Sequence, residues 1–190
     1  MIILENKTIE KPRTLAEFLV WEQEQNDGFK YEWNDGELIK FSGMNKKQAY
    51  IFEILNRLFI RKGLWEQGTL LTEYDVMLSG TPPAGIQMRR PDIAYLTTEQ
   101  VQLGKEGEDV IPEFVVEIIS ETDKQYKIEE KLTEYFKAGV KIVWNIIPES
   151  QLIYVYTSRK NVMICSDDDI CSAEPVLIDF KIAVNKIFVN

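Results

Sequence analysis

Apolar positions recur with two periods along this chain, and the changes of period mark out its elements. Thr14 to Gln25 has helical spacing through Leu15, Phe18, Leu19 and Glu22, with Thr14 as cap and Glu17 three residues on to complete a capping box. Tyr31 to Trp33 and Glu37 to Phe41 flank Asn34-Asp35-Gly36, a strong hairpin signal. Lys46 to Arg61 predicts a second helix, with Ala49, Phe52, Leu55, Asn56 and Phe59 along one stripe. Thr69 to Met77, Gln87 to Leu96 and Phe114 to Ile119 then read as strands. Gly80, Pro82, Pro83 and Gly85 punctuate the first gap, and Gly104 to Asp109 the second, as an exposed acidic loop. Lys124 to Ala138 returns to helical spacing and ends at Gly139. Val140 to Ile147 is an apolar strand stopped by Pro148, and Leu152 to Thr157 pairs with it through Pro148-Glu149-Ser150. Short strands at Val162 to Cys165 and Val176 to Ile178, and a weak helix, complete the chain. With no internal repeat and no long linker, residues 1–190 read as a single domain of α/β class. Its mixed central sheet has a helical crossover after Ile119.

Composition narrows the chemistry. The chain has 190 residues, 45% of them hydrophobic and 28% charged, as in ordinary globular proteins. No apolar run approaches a membrane span, and Met1 to Lys11, with Glu5 and Glu10, lacks the apolar core of a secretory signal. Two cysteines, Cys165 and Cys171, make no disulfide framework, so a cytoplasmic location is expected. The absence of histidine excludes Ser-His-Asp and Cys-His triads and His-ligated zinc. Acid–base or metal chemistry must rest on carboxylates, lysines and tyrosines, and such an oxygen-rich site favours magnesium, manganese or calcium. The net charge of −9 argues against non-specific coating of nucleic acid, but not against one basic face. Local basic groups exist at Lys46-Lys47, Arg57 with Arg61-Lys62, Arg89-Arg90, and Lys124 with Lys127 and Lys131.

Two carboxylates stand where the pattern predicts buried strand. Asp92 follows Arg90-Pro91, and Glu117 lies within Phe114-Val115-Val116-Glu117-Ile118-Ile119-Ser120. An ionised carboxylate in an apolar strand is costly unless a cation compensates it. Alternation puts Phe114, Val116 and Ile118 on one face and Val115, Glu117 and Ile119 on the other. A divalent metal between Asp92 and Glu117 is one reading. An ion pair of Glu117 with an arginine such as Arg90, and Asp92 as a turn or edge residue accepting backbone hydrogen bonds, is the other. In the following helix, Ile128, Leu132, Tyr135 and Phe136 form the apolar face and Lys131 borders it. Its ammonium either reaches the carboxylates or snorkels to solvent.

Pro91-Asp92, Glu117-Ile118-Ile119-Ser120, Lys131 with Tyr135, Gly139-Val140 and Trp144 with Pro148 follow one another in an order and spacing that resembles a known family. Tyr31-Glu32 and Asp35-Gly36-Glu37 extend the likeness upstream, over roughly Thr14 to Thr157. The family is the Uma-type restriction endonuclease family of the PD-(D/E)XK nuclease superfamily. The resemblance implies a restriction-endonuclease-like core with a mixed central β-sheet flanked by helices. It implies an Mg2+-dependent (or Mn2+-dependent) endonuclease hydrolysing DNA phosphodiester bonds. Asp92, Glu117 and the Ile118 carbonyl would be its metal ligands, and Lys131 and Glu32, or else Glu37, its further catalytic groups. The superfamily lysine usually stands two residues after the Glu. Here Ile119 holds that position, and Lys131 is implied to replace it by positioning or deprotonating the attacking water. The chain departs from the family where Gln48 stands for a frequent His, Lys127 for a frequent Asp, and Ile147-Pro148 for Asp-Pro. Those departures keep open an alternative, a catalytically silent nuclease fold serving as an interaction module. Because a duplex has two strands, a C2 homodimer is also expected, with Tyr154 and Tyr156 contributing to its interface.

Overall fold

In the computed structural model of the chain, residues 11–79 and 86–188 are described. The punctuated Gly80 to Gly85 connection, and the N-terminal segment before Lys11, lie outside them. Helix α1 spans Leu15–Gln23, and the Thr14 hydroxyl accepts from Glu17 N at 3.2 Å. The capping box does not close as expected, because the Glu17 carboxylate accepts from Arg13 N instead, at 2.8 Å. Strands β1 (Lys30–Asn34) and β2 (Glu37–Phe41) form the hairpin. Its two-residue turn needs positive φ at both Asp35 (45°) and Gly36 (91°), which these residues tolerate.

Helix α2 spans Lys46–Arg61 behind an Asn45/Gln48 capping box. Its buried stripe is Ile51, Leu55, Leu58 and Phe59, whereas Ala49, expected inside, is exposed. Two overlapping stripes satisfy the helical period, and packing against the sheet selects the bulkier one. The run Thr69 to Met77 divides into β3 (Gly68–Thr72) and β4 (Val76–Ser79), and Gln87 to Leu96 into β5 (Ile86–Arg89) and β6 (Ile93–Thr97). In each case the chain leaves one sheet for another. The breaks lie side by side at Glu73 (φ 50°) and Pro91-Asp92, joined by Glu73 N donating to Asp92 O at 3.3 Å. Proline has no N–H for a ladder, so β5 ends there. Helix α3 (Thr98–Lys105), unexpected from the pattern, starts on a Thr97/Gln100 capping box.

Strand β7 (Phe114–Ile118), helix α4 (Gln125–Ala138) and β8 (Ile142–Ile147) make a parallel crossover. Gly139 closes α4 at φ 108°, where a Cβ would be strained. Strands β9 (Leu152–Ser158) and β10 (Asn161–Cys165) follow as an antiparallel pair. The six-stranded sheet has order β10-β9-β8-β7-β6-β3, parallel only at β7–β8, and the four-stranded sheet has order β2-β1-β5-β4. At the C-terminal end, β11 (Ile170–Ser172) pairs with β12 (Lys181–Ala183), and a 3-10 turn at Val184–Lys186 stands for the weak helix. The strand expected at Val176 to Ile178 is a turn whose Leu177 is fully buried. Its apolar residues serve burial without pairing.

The large sheet is covered on both faces. On one, α2 and the Leu177–Phe180 turn pack over Phe114, Val116, Ile118 and Trp144. On the other, Leu132 and Tyr135 of α4 pack over Val115 and Val143. Each large buried side chain contributes about 1.5–3 kcal/mol through removal of apolar surface from water. This second face is the one that carries Glu117.

Candidate active site

Asp92, where the chain crosses between sheets, and Glu117, near the end of β7, line one open cleft of about 710 Å³ with Glu32, Gln48, Lys131 and Asn145. The Asp92 carboxylate accepts from Ile118 N through Oδ2 at 2.6 Å. Its Oδ1 accepts from Gln48 Nε2 at 3.3 Å, and the same amide donates to the Ile118 carbonyl at 3.3 Å. Gln48 is turned this way by its cap, since its Oε1 accepts from Asn45 N at 2.8 Å. Glu117 is buried and holds two partners. Tyr135 donates its hydroxyl to Oε1 at 2.6 Å, and the Lys131 ammonium lies 3.3 Å and 3.4 Å from the two oxygens.

Lys131 also touches Glu32 Oε1 at 2.9 Å, so it bridges two carboxylates. Glu32 is held from behind. It accepts from Arg90 N at 3.0 Å and from Arg89 Nη1 at 3.0 Å. Arg89, 1% exposed, makes a bidentate pair with Glu134 at 2.6 Å and 3.0 Å. Thus β1, β5, β7 and α4 are tied by one chain of charges. Arg90, considered as a partner for Glu117, instead pairs with Glu22 and Asp75. Glu37 stands at the exposed rim beside Lys127, at 3.3 Å.

The sequence pattern drew attention to Asp92, Glu117 and Lys131, and the family resemblance to Glu32, and the structure brings all four to this cleft. It did not single out Arg89 or Asn145. Asn145 carried the signal used for Glu117, a polar group inside a run of apolar strand, whereas Arg89, between Gln87 and Arg90, did not. Asn145 lies opposite Glu117 on β8, is 2% exposed, and its Oδ1 has no hydrogen-bond partner.

Electrostatics separates the groups. Burial pushes the Asp92 carboxyl up, aided by the nearby Glu117 charge, from 3.8 to about 7. Burial also raises Glu117, although Lys131 opposes it. For Glu32, burial is outweighed by Lys131 and Arg89, so its carboxyl lies below the usual range. Burial works against the Lys131 ammonium, but Glu117 and Glu32 prevail and raise its pKa. Lys131 is therefore a permanent cation at neutral pH.

Does this set suit a divalent cation? Among the described residues, no three Asp, Glu, His or Cys side chains converge on one metal position. The fit rests on a mixed oxygen set: Asp92, Glu117, the Ile118 carbonyl and the orphaned Asn145 Oδ1. Hard oxygen donors of this kind suit magnesium or manganese.

The raised Asp92 pKa has a consequence for stability. The folded state holds a proton there that the unfolded chain releases. The contribution is therefore full below about pH 4 and is lost as pH rises through about 7, up to about 4 kcal/mol in all. In metal-free buffer, urea unfolding is expected to show Asp92→Asn less sensitive than the parent to a change from about pH 5 to about pH 8. Identical pH slopes for the two proteins would exclude a buried proton on Asp92.

A two-sheet α/β fold with a carboxylate–lysine cleft at a strand break places the chain in the restriction-endonuclease-like class. The chain belongs to the Uma2 family, whose model, described as "Putative restriction endonuclease", matches residues 15–185. Among solved structures it is similar to one described as a "putative nuclease belonging to DUF820" from Anabaena variabilis ATCC 29413. The two share 18% identity over 93% of this chain and 98% of that one, with a TM-score of 0.73, a likeness of fold. No curated protein matches the chain in sequence. Among the described residues, no helix is long and apolar enough to cross a membrane.

Proposed function

We propose that this protein is a divalent-metal-dependent endonuclease that hydrolyses DNA phosphodiester bonds in the cytoplasm. The observation that carries the reading is Lys131 set between Glu117 and Glu32, in the cleft that also holds Asp92. Asp92, Glu117 and the Ile118 carbonyl would hold a magnesium or manganese ion. When bound, that ion supplies polarisation of the scissile phosphate and a more acidic attacking water. The water oxygen gives up a proton to solvent and bonds to phosphorus as one bridging P–O bond breaks, and the departing oxygen takes up a proton from solvent.

Lys131 acts in this scheme as a fixed positive charge facing the phosphoryl oxygens, because its raised pKa leaves it a poor base. Glu32 and Tyr135 position the groups on either side of it. At the cleft mouth, exposed Tyr126 carries Lys124 at 5.9 Å and Lys127 at 5.7 Å from its ring centroid. An aromatic face with two cations suits a base and its flanking phosphates.

One observation favours a second reading, a nuclease fold that binds without cutting. The Gln48 amide donates to both Asp92 and the Ile118 carbonyl, a position a metal would compete for. A cleavage assay on supercoiled plasmid and on single-stranded DNA, with magnesium or manganese, separates the two. Nicking by the parent that disappears in Asp92→Ala is expected. Retention of DNA with no product under either metal would establish the binding-only reading.

A further inference from the structure

The six-stranded sheet ends at β10, and among the described residues that edge is open. Among the described residues, no strand pairs with the outer side of β10, and no backbone hydrogen bond reaches it from elsewhere. Open edges are normally blunted by charges, proline, bulges or a covering loop. Here the central residues are apolar and exposed on both faces of the sheet: Val162 (43%), Met163 (49%) and Ile164 (55%). The one irregularity in the β9–β10 register lies at its start, between Asn161 and Val162, and leaves Val162 to Cys165 regular. Val162 lies beside Tyr156 and Ile164 beside Tyr154, so the apolar edge continues into two half-buried tyrosines on one face.

The flanks carry opposite charge. Exposed Arg159 and Lys160 precede the strand, and exposed Asp167, Asp168 and Asp169 follow it. An antiparallel two-fold pairing reverses the strand against itself, so the basic turn of each copy meets the acidic turn of the other. Parallel or heterologous pairing would not match both ends at once. The chain is thus complementary to itself at this edge in hydrogen bonding, in apolar contact and in charge.

We propose that β10 is the homodimer interface, pairing edge to edge about a two-fold axis at Met163 and joining two six-stranded sheets into one. Val162 then lies opposite the partner's Ile164, and the reverse, while the Arg159-Lys160 turn faces the partner's Asp167 to Asp169 turn. Tyr154 and Tyr156 flank the seam on one face. The proposal is independent of the chemistry at the cleft.

Sedimentation at micromolar concentration is expected to give about 44 kDa, twice the chain's 22.1 kDa. Arg159→Glu and Asp168→Lys place like charges opposite one another, and each should weaken the dimer by about tenfold or more. The two changes in one chain restore the complementarity and should recover most of the loss. Met163→Cys sits on the axis, where facing Cα atoms lie about 4.5–5.5 Å apart, so mild oxidation should yield a disulfide-linked dimer. The native Cys165 and Cys171, both buried, should not cross-link. A 22.1 kDa species at every concentration would overturn the proposal, leaving the edge to some other strand. A dimer that neither charge reversal weakens and Met163→Cys does not cross-link would place the interface elsewhere.

Discussion

A Lys131→Met protein is expected to fold and to cleave DNA at least about a hundredfold more slowly than the parent, a loss typical of removing one positioned electrostatic group. Folding should survive for two reasons. Methionine keeps most of the packed lysine stem. The carboxylates also have other partners. Glu32 retains Arg89 and Arg90 N, while Glu117 retains Tyr135 and, with its pKa already raised, takes up a proton once the ammonium is gone. Lys124→Met, at the rim, should instead weaken DNA binding and flatten its salt dependence with little change in the rate of the bound complex. Single-turnover cleavage with saturating protein, beside binding measured by fluorescence anisotropy, separates the effects. A Lys131→Met protein as active as the parent would remove the lysine from the mechanism.

Arg89→Met is expected to carry the largest stability loss, about 3–5 kcal/mol, because a buried ion network loses its central cation. Arg89 is 1% exposed and satisfies Glu32 on one side and Glu134 on the other. Without it, both carboxylates must protonate, find water or draw the sheets apart. For a chain of this size the loss corresponds to a fall in Tm on the order of 10 °C, measurable by calorimetry. The companion change Glu134→Gln should cost less, since the amide still accepts from the guanidinium and Glu32 remains paired. A fall of under about 1 kcal/mol for Arg89→Met would show that the network is not what holds the four-stranded sheet to α4.

The Asp35-Gly36 hairpin, the Lys46–Arg61 helix, the α4 helix with its Gly139 stop and the β8–β9 pair were all legible in the chain, because each rests on local signals. Period, cap and turn chemistry act over a few residues. The elements that were misjudged depend on what lies far away in sequence. Thr69 to Met77 and Gln87 to Leu96 each read as one strand despite the polar breaks at Glu73 to Asp75 and Pro91-Asp92, yet each turns from one sheet into the other where the two runs cross. Ala49 fits the helical period as well as Ile51 does, and only the sheet beneath selects between them. Val176 to Ile178 is apolar because it caps the core, not because it pairs.

For the site, the chain by itself determined that carboxylates and lysine had to do the work, since it holds no histidine, and it marked Asp92 and Glu117 by their apolar surroundings. Tertiary structure decided the partners. It gave Glu117 to Lys131 and Tyr135 rather than to Arg90, placed Arg89 behind Glu32, and turned the Gln48 amide toward Asp92. The reason is physical. Burial cost belongs to a single residue and its neighbours in the strand, so it shows in the sequence. Ion pairs and hydrogen bonds need their partners within a few ångströms, so they exist only once the sheets and α4 have brought distant residues together.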